Sequence, residues 1–227
     1  MPNWCENTLI IYDKDKGQQV IDFMRSDDEK FDFNNIIPMP EDVKETENIS
    51  LTAKVRKESH GRNWYDWSVK NWGAKWNACR VDIGKTEDGF PRIHFETAWT
   101  PPFKVIEAII DKFELNDFQY EYEELGVGVS GGLYAEGGEA TFIEADFTKV
   151  DTKSLDNVNA FIQDYDDKYD HTMFLLDFDN NPLNVIAGSM FEYFVYVFRQ
   201  EPVELKPELA KYIPMKITHM TIGSEED

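Results

Sequence analysis

The run CRVDIGKTEDGFPRIHFETAW, Cys79 to Trp99, alternates on both sides of a short polar turn. Cys79, Val81 and Ile83 alternate with Arg80 and Asp82. Ile93, Phe95, Thr97 and Trp99 alternate with Arg92, His94 and Glu96. A period of two puts each set on one side of a strand. The run therefore predicts a hairpin, turned by Lys85-Thr86-Glu87-Asp88-Gly89, with one buried face on each arm.

The flanking segments add to this hairpin. Upstream, Trp4 to Tyr12 ends in Leu9-Ile10-Ile11 and reads as a strand. From about Lys16 to Arg25, Val20, Ile21, Phe23 and Met24 share a helical face. Ile36-Ile37-Pro38-Met39-Pro40 is an extended connector, since two prolines disfavour helix. Residues 41–60 are polar and are expected to be a flexible insertion. Asn63 is placed to cap a helix through Trp64-Tyr65-Asp66-Trp67. Trp64 and Trp67 lie on one side of that helix, with Trp72 and Trp76 well around the cylinder. The helix is therefore expected to stop near Gly73, leaving Trp76 to the next connection.

Downstream, Thr100-Pro101-Pro102 predicts a helix start capped by Thr100. Val105, Ile106, Ile109, Ile110 and Phe113 form its apolar stripe. Phe118, Tyr120 and Tyr122 alternate as a further strand, and two more are expected at 127–134 and 139–147 around Gly137-Gly138. The order β-α-(insertion)-β-β-α-β is the ferredoxin-like arrangement, an antiparallel sheet with both helices on one face. The expected class is α+β: a domain over 1–147 with an insertion at about 30–76, an added hairpin, and an acidic α/β extension or small subdomain over 148–227. In that extension Met173-Phe174-Leu175-Leu176 reads as a strand, and Ser189 with Glu192 has capping-box spacing.

The net charge is −21, from 23 basic and 44 acidic residues. That opposes non-specific binding to nucleic acid or anionic membranes, where affinity comes from cations brought to phosphates. It suits a basic partner or plain solubility. Two cysteines, Cys5 and Cys79, make neither a disulfide framework nor a four-cysteine metal site. The N-terminal residues lack the pattern of a signal peptide. No run reaches the roughly 20 apolar residues of a membrane span. The expected compartment is the cytoplasm, a host cell's included.

Four blocks carry a resemblance: Met1-Pro2-Asn3-Trp4-Cys5-Glu6-Asn7, Ile36 to Pro40, Trp64-Tyr65-Asp66-Trp67 with Asn71-Trp72-Gly73 and Lys75-Trp76, and Phe95-Glu96-Thr97-Ala98-Trp99-Thr100-Pro101-Pro102. In this order, over roughly residues 1–145, they resemble the YubB-type family of phages and conjugative plasmids. The resemblance implies a ferredoxin-like domain and a mobile-element origin. It implies no reaction.

The motifs that suggest chemistry fail on context. Gly126, Gly128 and Gly131 have dinucleotide-site spacing but lead into another turn, where that site needs a helix. Asp177 and Asp179 open like an aspartyl phosphatase, yet the later lysine and paired-acid motifs are missing. As a calcium loop the same stretch puts Pro182 where glycine belongs and Gly188 where glutamate belongs. His60, His94, His171 and His219 lack zinc-site spacing. His94 beside Glu96 is a conceivable acid–base pair, but a surface histidine near a carboxylate is the plainer reading. Neither catalytic residues nor a cofactor or metal are expected.

The leading expectation is a non-enzymatic accessory protein that binds a host protein, one version being a counter-defence inhibitor whose carboxylates mimic DNA. The candidate surface is Trp64, Trp67, Trp72 and Trp76, with Glu121, Glu123, Glu124, Asp164, Asp166, Asp167 and Asp170. Twelve acidic residues against three lysines between Glu136 and Ile186 make that stretch the natural place for mimicry. Two alternatives remain open. One is an enzyme or small-ligand sensor using Asp66, His94 and Lys75 beside the tryptophan helix. The other is a structural, oligomeric part.

Overall fold

The computed structural model describes residues 3–48, 62–124, 129–146 and 215–222. The chain divides into two units. The first is Met1–Tyr122 with Leu133–Thr141 and His219–Asp227; the second is Glu123–Gly132 with Phe142–Thr218. Most of the second lies outside the described residues, and with it the expected strand at 173–176 and the capping box at Ser189.

Among the described residues the strands are β1 (Trp4–Ile11), β2 (Cys79–Lys85), β3 (Pro91–Ala98), β4 (Phe118–Glu124), β5 (Val129–Glu136), β6 (Glu139–Asp146) and β7 (Met215–Thr221). They form one sheet in the order β2-β3-β1-β4-β5-β6-β7. The helices are α1 (Lys14–Met24), the single turn α2 (Glu41–Lys44), α3 (Trp64–Asn71) and α4 (Phe103–Phe113). The α+β class with an antiparallel sheet and covering helices stands.

The hairpin forms as its alternation predicts. β3 pairs antiparallel with β2 on one side and with β1 on the other, from Trp4 opposite Ala98 to Ile10 opposite Arg92. Ile93, Phe95 and Thr97 on β3 and Cys5, Asn7, Leu9 and Ile11 on β1 are buried. The β2 arm differs: its register with β3 shifts between Cys79 and Asp82, and Val81 and Ile83 are only half-buried. Among the described residues it borders β3 alone, at the edge of the sheet.

Asp13 caps α1 by accepting the backbone N–H groups of Asp15 and Lys16. Val20, Ile21 and Met24 are buried, but Phe23 is 36% exposed, so the expected four-residue face is narrower than its pattern. Phe23 turns to α4, where it meets Phe113 edge-on at 5.6 Å, while α1 also packs on β1 and β3. α4 buries Val105, Ile106, Ile109 and Ile110 as its stripe predicts. Its start corrects the sequence reading. Pro102 holds the cap position, and the Thr100 hydroxyl instead donates to the Gly73 carbonyl at 2.7 Å.

The segment expected to be an insertion supplies core. Phe31 and Phe33 are fully buried against Phe95, at 5.1 and 6.0 Å. Residues 41–48 carry α2 and a following turn with Val43 buried, while 49–61 lie outside the described residues. β5 and β6 meet at Gly137-Gly138, both with positive φ, the conformation a tight hairpin turn requires.

Candidate functional site

The site is organised by α3. The Asn63 carboxamide oxygen accepts the Asp66 backbone N–H at 2.9 Å, and its Nδ2 donates to the Asp66 carboxylate at 2.7 Å. This reciprocal cap fixes the first turn of the helix. The helix ends as predicted: Trp72 N–H closes onto Ser68 and Gly73 follows at φ +85°. The positive φ favours glycine there, and a Cβ would also lie a tight 3.3 Å from the Pro101 carbonyl. The sharp exit brings Lys75 and Trp76 back past the end of β3.

Two groups of rings result. In the inner one Trp72 is 4% exposed and donates its indole N–H to the Ile37 carbonyl at 2.9 Å. Phe33 and Trp67 meet it edge-on at 5.7 and 5.4 Å. Trp72 is therefore core and not part of an interaction surface, which corrects the reading above. A buried indole needs an acceptor, and the Ile36–Pro40 connector supplies one; it opens on a turn, with Ile36 and Ile37 N–H both closing onto the Phe33 carbonyl, where the sequence predicts an extended chain throughout. Trp67 is half-buried beside it.

The outer group lies closer to solvent. Trp76 packs against Trp4 at 6.1 Å, Tyr65 against Trp64 at 5.8 Å, and Tyr65 against Trp99 at 6.3 Å. Trp64, Tyr65 and Trp76 are half-buried and Trp99 is 37% exposed. The Lys75 ammonium sits 4.1 Å from the Trp76 ring centre, 4.6 Å from Trp99 and 5.9 Å from Tyr65. The Arg80 guanidinium lies 4.9 Å over Trp4 and pairs with Glu96 at 2.6 Å. Each distance is within cation–π range.

Backbone strain is concentrated here. Among the described residues three non-glycine positions have positive φ: Arg80, Trp99 and Glu114. Glu114 ends α4, where a left-handed residue is ordinary. Arg80 and Trp99 both belong to the ring cluster, and bulky residues in this region cost on the order of 1–3 kcal/mol. Trp99 is held by its N–H to the Asn3 carbonyl at 3.0 Å, and the Thr97 hydroxyl closes the turn on the Thr100 carbonyl at 2.8 Å. The left-handed turn ends the alternation of β3, so Trp99 leaves the buried face on which its spacing put it.

Asp66, His94 and Lys75 do not form one polar set. Asp66 is bound into the helix cap and Lys75 into the rings. His94 Nδ1 lies 3.1 Å from Thr8 Oγ1, while Glu96, the other half of the conceivable acid–base pair, is taken by Arg80. Burial pushes the Cys79 thiol up, with Glu29 and Glu96 adding to this against Arg80, which disfavours the nucleophilic thiolate. Among the described residues no group of three or more His, Cys, Asp or Glu could hold a metal ion. None of their helices is long and apolar enough to cross a membrane.

On β4, Glu124 is 3% exposed and Glu123 half-buried. Glu121 accepts from Gln119 Nε2 and lies 3.5 Å from the Tyr134 hydroxyl. Glu124 thus presents no outward carboxylate, because its position on the strand faces inward. Asp164, Asp166, Asp167 and Asp170 lie outside the described residues. Sequence reasoning missed Trp4, Tyr65, Arg80 and Trp99 as members of the ring face. The available signal was the Pro101-Pro102 pair, which lacks the N–H groups to continue a strand and so marks a limit to β3 close to Trp99.

The family described as a ferredoxin-like domain in Api92-like protein matches residues 71–163. That span runs from the end of α3 through β6 and beyond, and it supports a ferredoxin-like domain. Comparison with curated proteins found no match. Comparison with solved structures found none either.

Proposed function

We propose that the chain is a non-enzymatic accessory protein of a phage or conjugative plasmid, of the YubB type, that binds a basic host protein through its outer ring face. One observation carries this reading. Three of the four blocks that resemble the YubB-type family meet in space: Asn3 and Trp4, Tyr65, Lys75 and Trp76, and Trp99 all belong to one half-exposed cluster, while the Ile36–Pro40 block meets the buried Trp72. Exposed or half-buried aromatics held in place by strained backbone suit a contact surface, where rigid rings give large area at small entropy cost. The charge of −21 favours encounter with a cationic partner. The strand order β2-β3-β1-β4, with α1 after β1 and α4 after β3, supports βαββαβ as the finer description of the domain.

The version in which carboxylates mimic DNA is the weaker one, since Glu124 faces inward on β4. The test is capture from host lysate at low and high salt, using the full chain and a Trp99→Ala chain. A nucleic-acid-handling protein held by the full chain, weakened by salt and lost with Trp99→Ala, supports the reading. Capture indifferent to Trp99→Ala, or no capture at low salt, overturns it.

A further inference from the structure

We propose that Tyr65, Trp76 and Trp99 form a binding box for an alkylammonium group, a lysine side chain of the basic partner, and that Lys75 is the resident occupant it displaces. This rests on the binding role proposed above and names the chemistry of the contact. The box already holds an ammonium nitrogen, 4.1, 4.6 and 5.9 Å from three ring centres. Ring faces are negative and attract cations, which selects against a carboxylate or phosphate ligand in the same place.

The walls have supports besides the lysine. The Trp99 backbone N–H is anchored to the Asn3 carbonyl, Trp76 packs on Trp4, and Tyr65 packs on Trp64. They come from three separate segments: α3, the connection after Gly73, and the turn after β3. The occupant is less firmly fixed. Lys75 stands outside helix and strand on a flexible four-carbon stem. Among the described residues it has no ion pair, whereas neighbouring Arg80 is paired with Glu96. Its charge is met by ring faces, an interaction that another ammonium reproduces atom for atom. Arg80, by contrast, covers Trp4 while held by a carboxylate, so exchange is expected at Lys75 and not at Arg80.

Tetramethylammonium chloride is the probe, titrated at constant ionic strength against the full chain, Lys75→Ala, and Lys75→Ala with Trp99→Ala. The readout is the methyl proton resonance of the probe, which moves upfield when enclosed by rings. A saturable shift in Lys75→Ala, with half-saturation about tenfold or more below that of the full chain, is expected from vacating a cation–π site. Adding Trp99→Ala should remove it. Equal behaviour of the full chain and Lys75→Ala, or no saturable shift, overturns the proposal. Lys75→Gln keeps the stem and replaces Lys75→Ala should the latter fail to fold. If both unfold, the lysine is a structural plug and the exchange is excluded. Partner capture that still depends on Trp99 while the probe fails sinks this inference alone; capture that ignores Trp99 sinks the binding role itself.

Discussion

The Tyr120 hydroxyl donates to the Asn7 carboxamide oxygen at 2.7 Å, joining β4 to β1 inside the core. Asn7 in turn donates to the Cys5 carbonyl at 2.8 Å and to Thr97 Oγ1 at 3.0 Å, and the Thr97 hydroxyl donates to Thr100. A continuous buried chain of hydrogen bonds thus ends at the turn that carries Trp99. Burial, with smaller contributions from Cys5 and Tyr122, holds the Tyr120 pKa well above 10, so the phenol remains a donor at ordinary pH.

Tyr120→Phe removes that donor and leaves the Asn7 oxygen with only the Cys5 thiol, 3.9 Å away and a weak donor. An orphaned buried acceptor costs about 1–3 kcal/mol. Chemical denaturation of the variant should show a loss in this range. A loss under about 0.5 kcal/mol would mean that the network contributes little.

Asp32 makes the chain sensitive to acid. Burial works against its charge, but hydrogen bonds from the Asn34 backbone and side chain, Asn77 and Ser26 outweigh it and hold the pKa below the ordinary 3.8. The folded state therefore takes up the proton less readily than the unfolded state. This contribution is complete above the unfolded value and is lost as pH falls past it through the lower folded value. Asp32→Asn should flatten the decline in stability below about pH 4 and cost roughly 1 kcal/mol at neutral pH, the carboxylate being partly open to solvent. Thermal melts from neutral to acid pH test this, and an unchanged acid slope would refute it. The Asp32–Asn77 contact at 2.8 Å also ties down the connection bearing Lys75 and Trp76.

Trp72 and Trp99 should respond very differently. Trp72→Phe loses ring volume and leaves the Ile37 carbonyl without its indole donor, for a cost of about 2–4 kcal/mol. Trp99→Gly loses ring contacts but releases a side chain held at φ +72°. Relief of about 1 kcal/mol or more should keep it within about 1 kcal/mol of the parent. Denaturation midpoints of the two variants decide, and equal losses would show that Trp99 is a core residue in effect.

Local patterns carried most of the fold. Ile93, Phe95 and Thr97 alternate because β3 has neighbours on both sides and one buried face, and the stripe of α4 is buried as spaced. The cap at Asn63 and the stop at Gly73 follow from local chemistry alone. What sequence could not give was convergence. Trp4, Lys75 and Trp99 are brought together by the β1–β3 register and by a left-handed turn that overrides the period of two. Trp72 sits amid exposed-looking tryptophans, yet its place in the core depends on Ile37, 35 positions away. Glu124 reads as one more surface acid until the face of β4 it occupies is known.

Gly17 is a position where intrinsic preference and packing conflict. It lies in the interior of α1, where alanine is favoured over glycine by about 1 kcal/mol. A Cβ there would stand 2.6 Å from Pro91 Cγ and 2.8 Å from Pro91 Cβ, at the start of β3. Proline is a rigid ring joined to backbone and cannot swing aside, so α1 must shift from the sheet. Overpacking of this kind costs about 1–3 kcal/mol, which exceeds the gain in helix preference. Gly17→Ala should therefore destabilise, against the expectation for an exposed helix. The same substitution on a Pro91→Gly background, where all three close ring atoms are gone, should recover the helix preference and become neutral or stabilising. A cycle of the four chains by denaturation measures this coupling, and additive effects would show that the contact between Gly17 and Pro91 does not limit how α1 seats on β3.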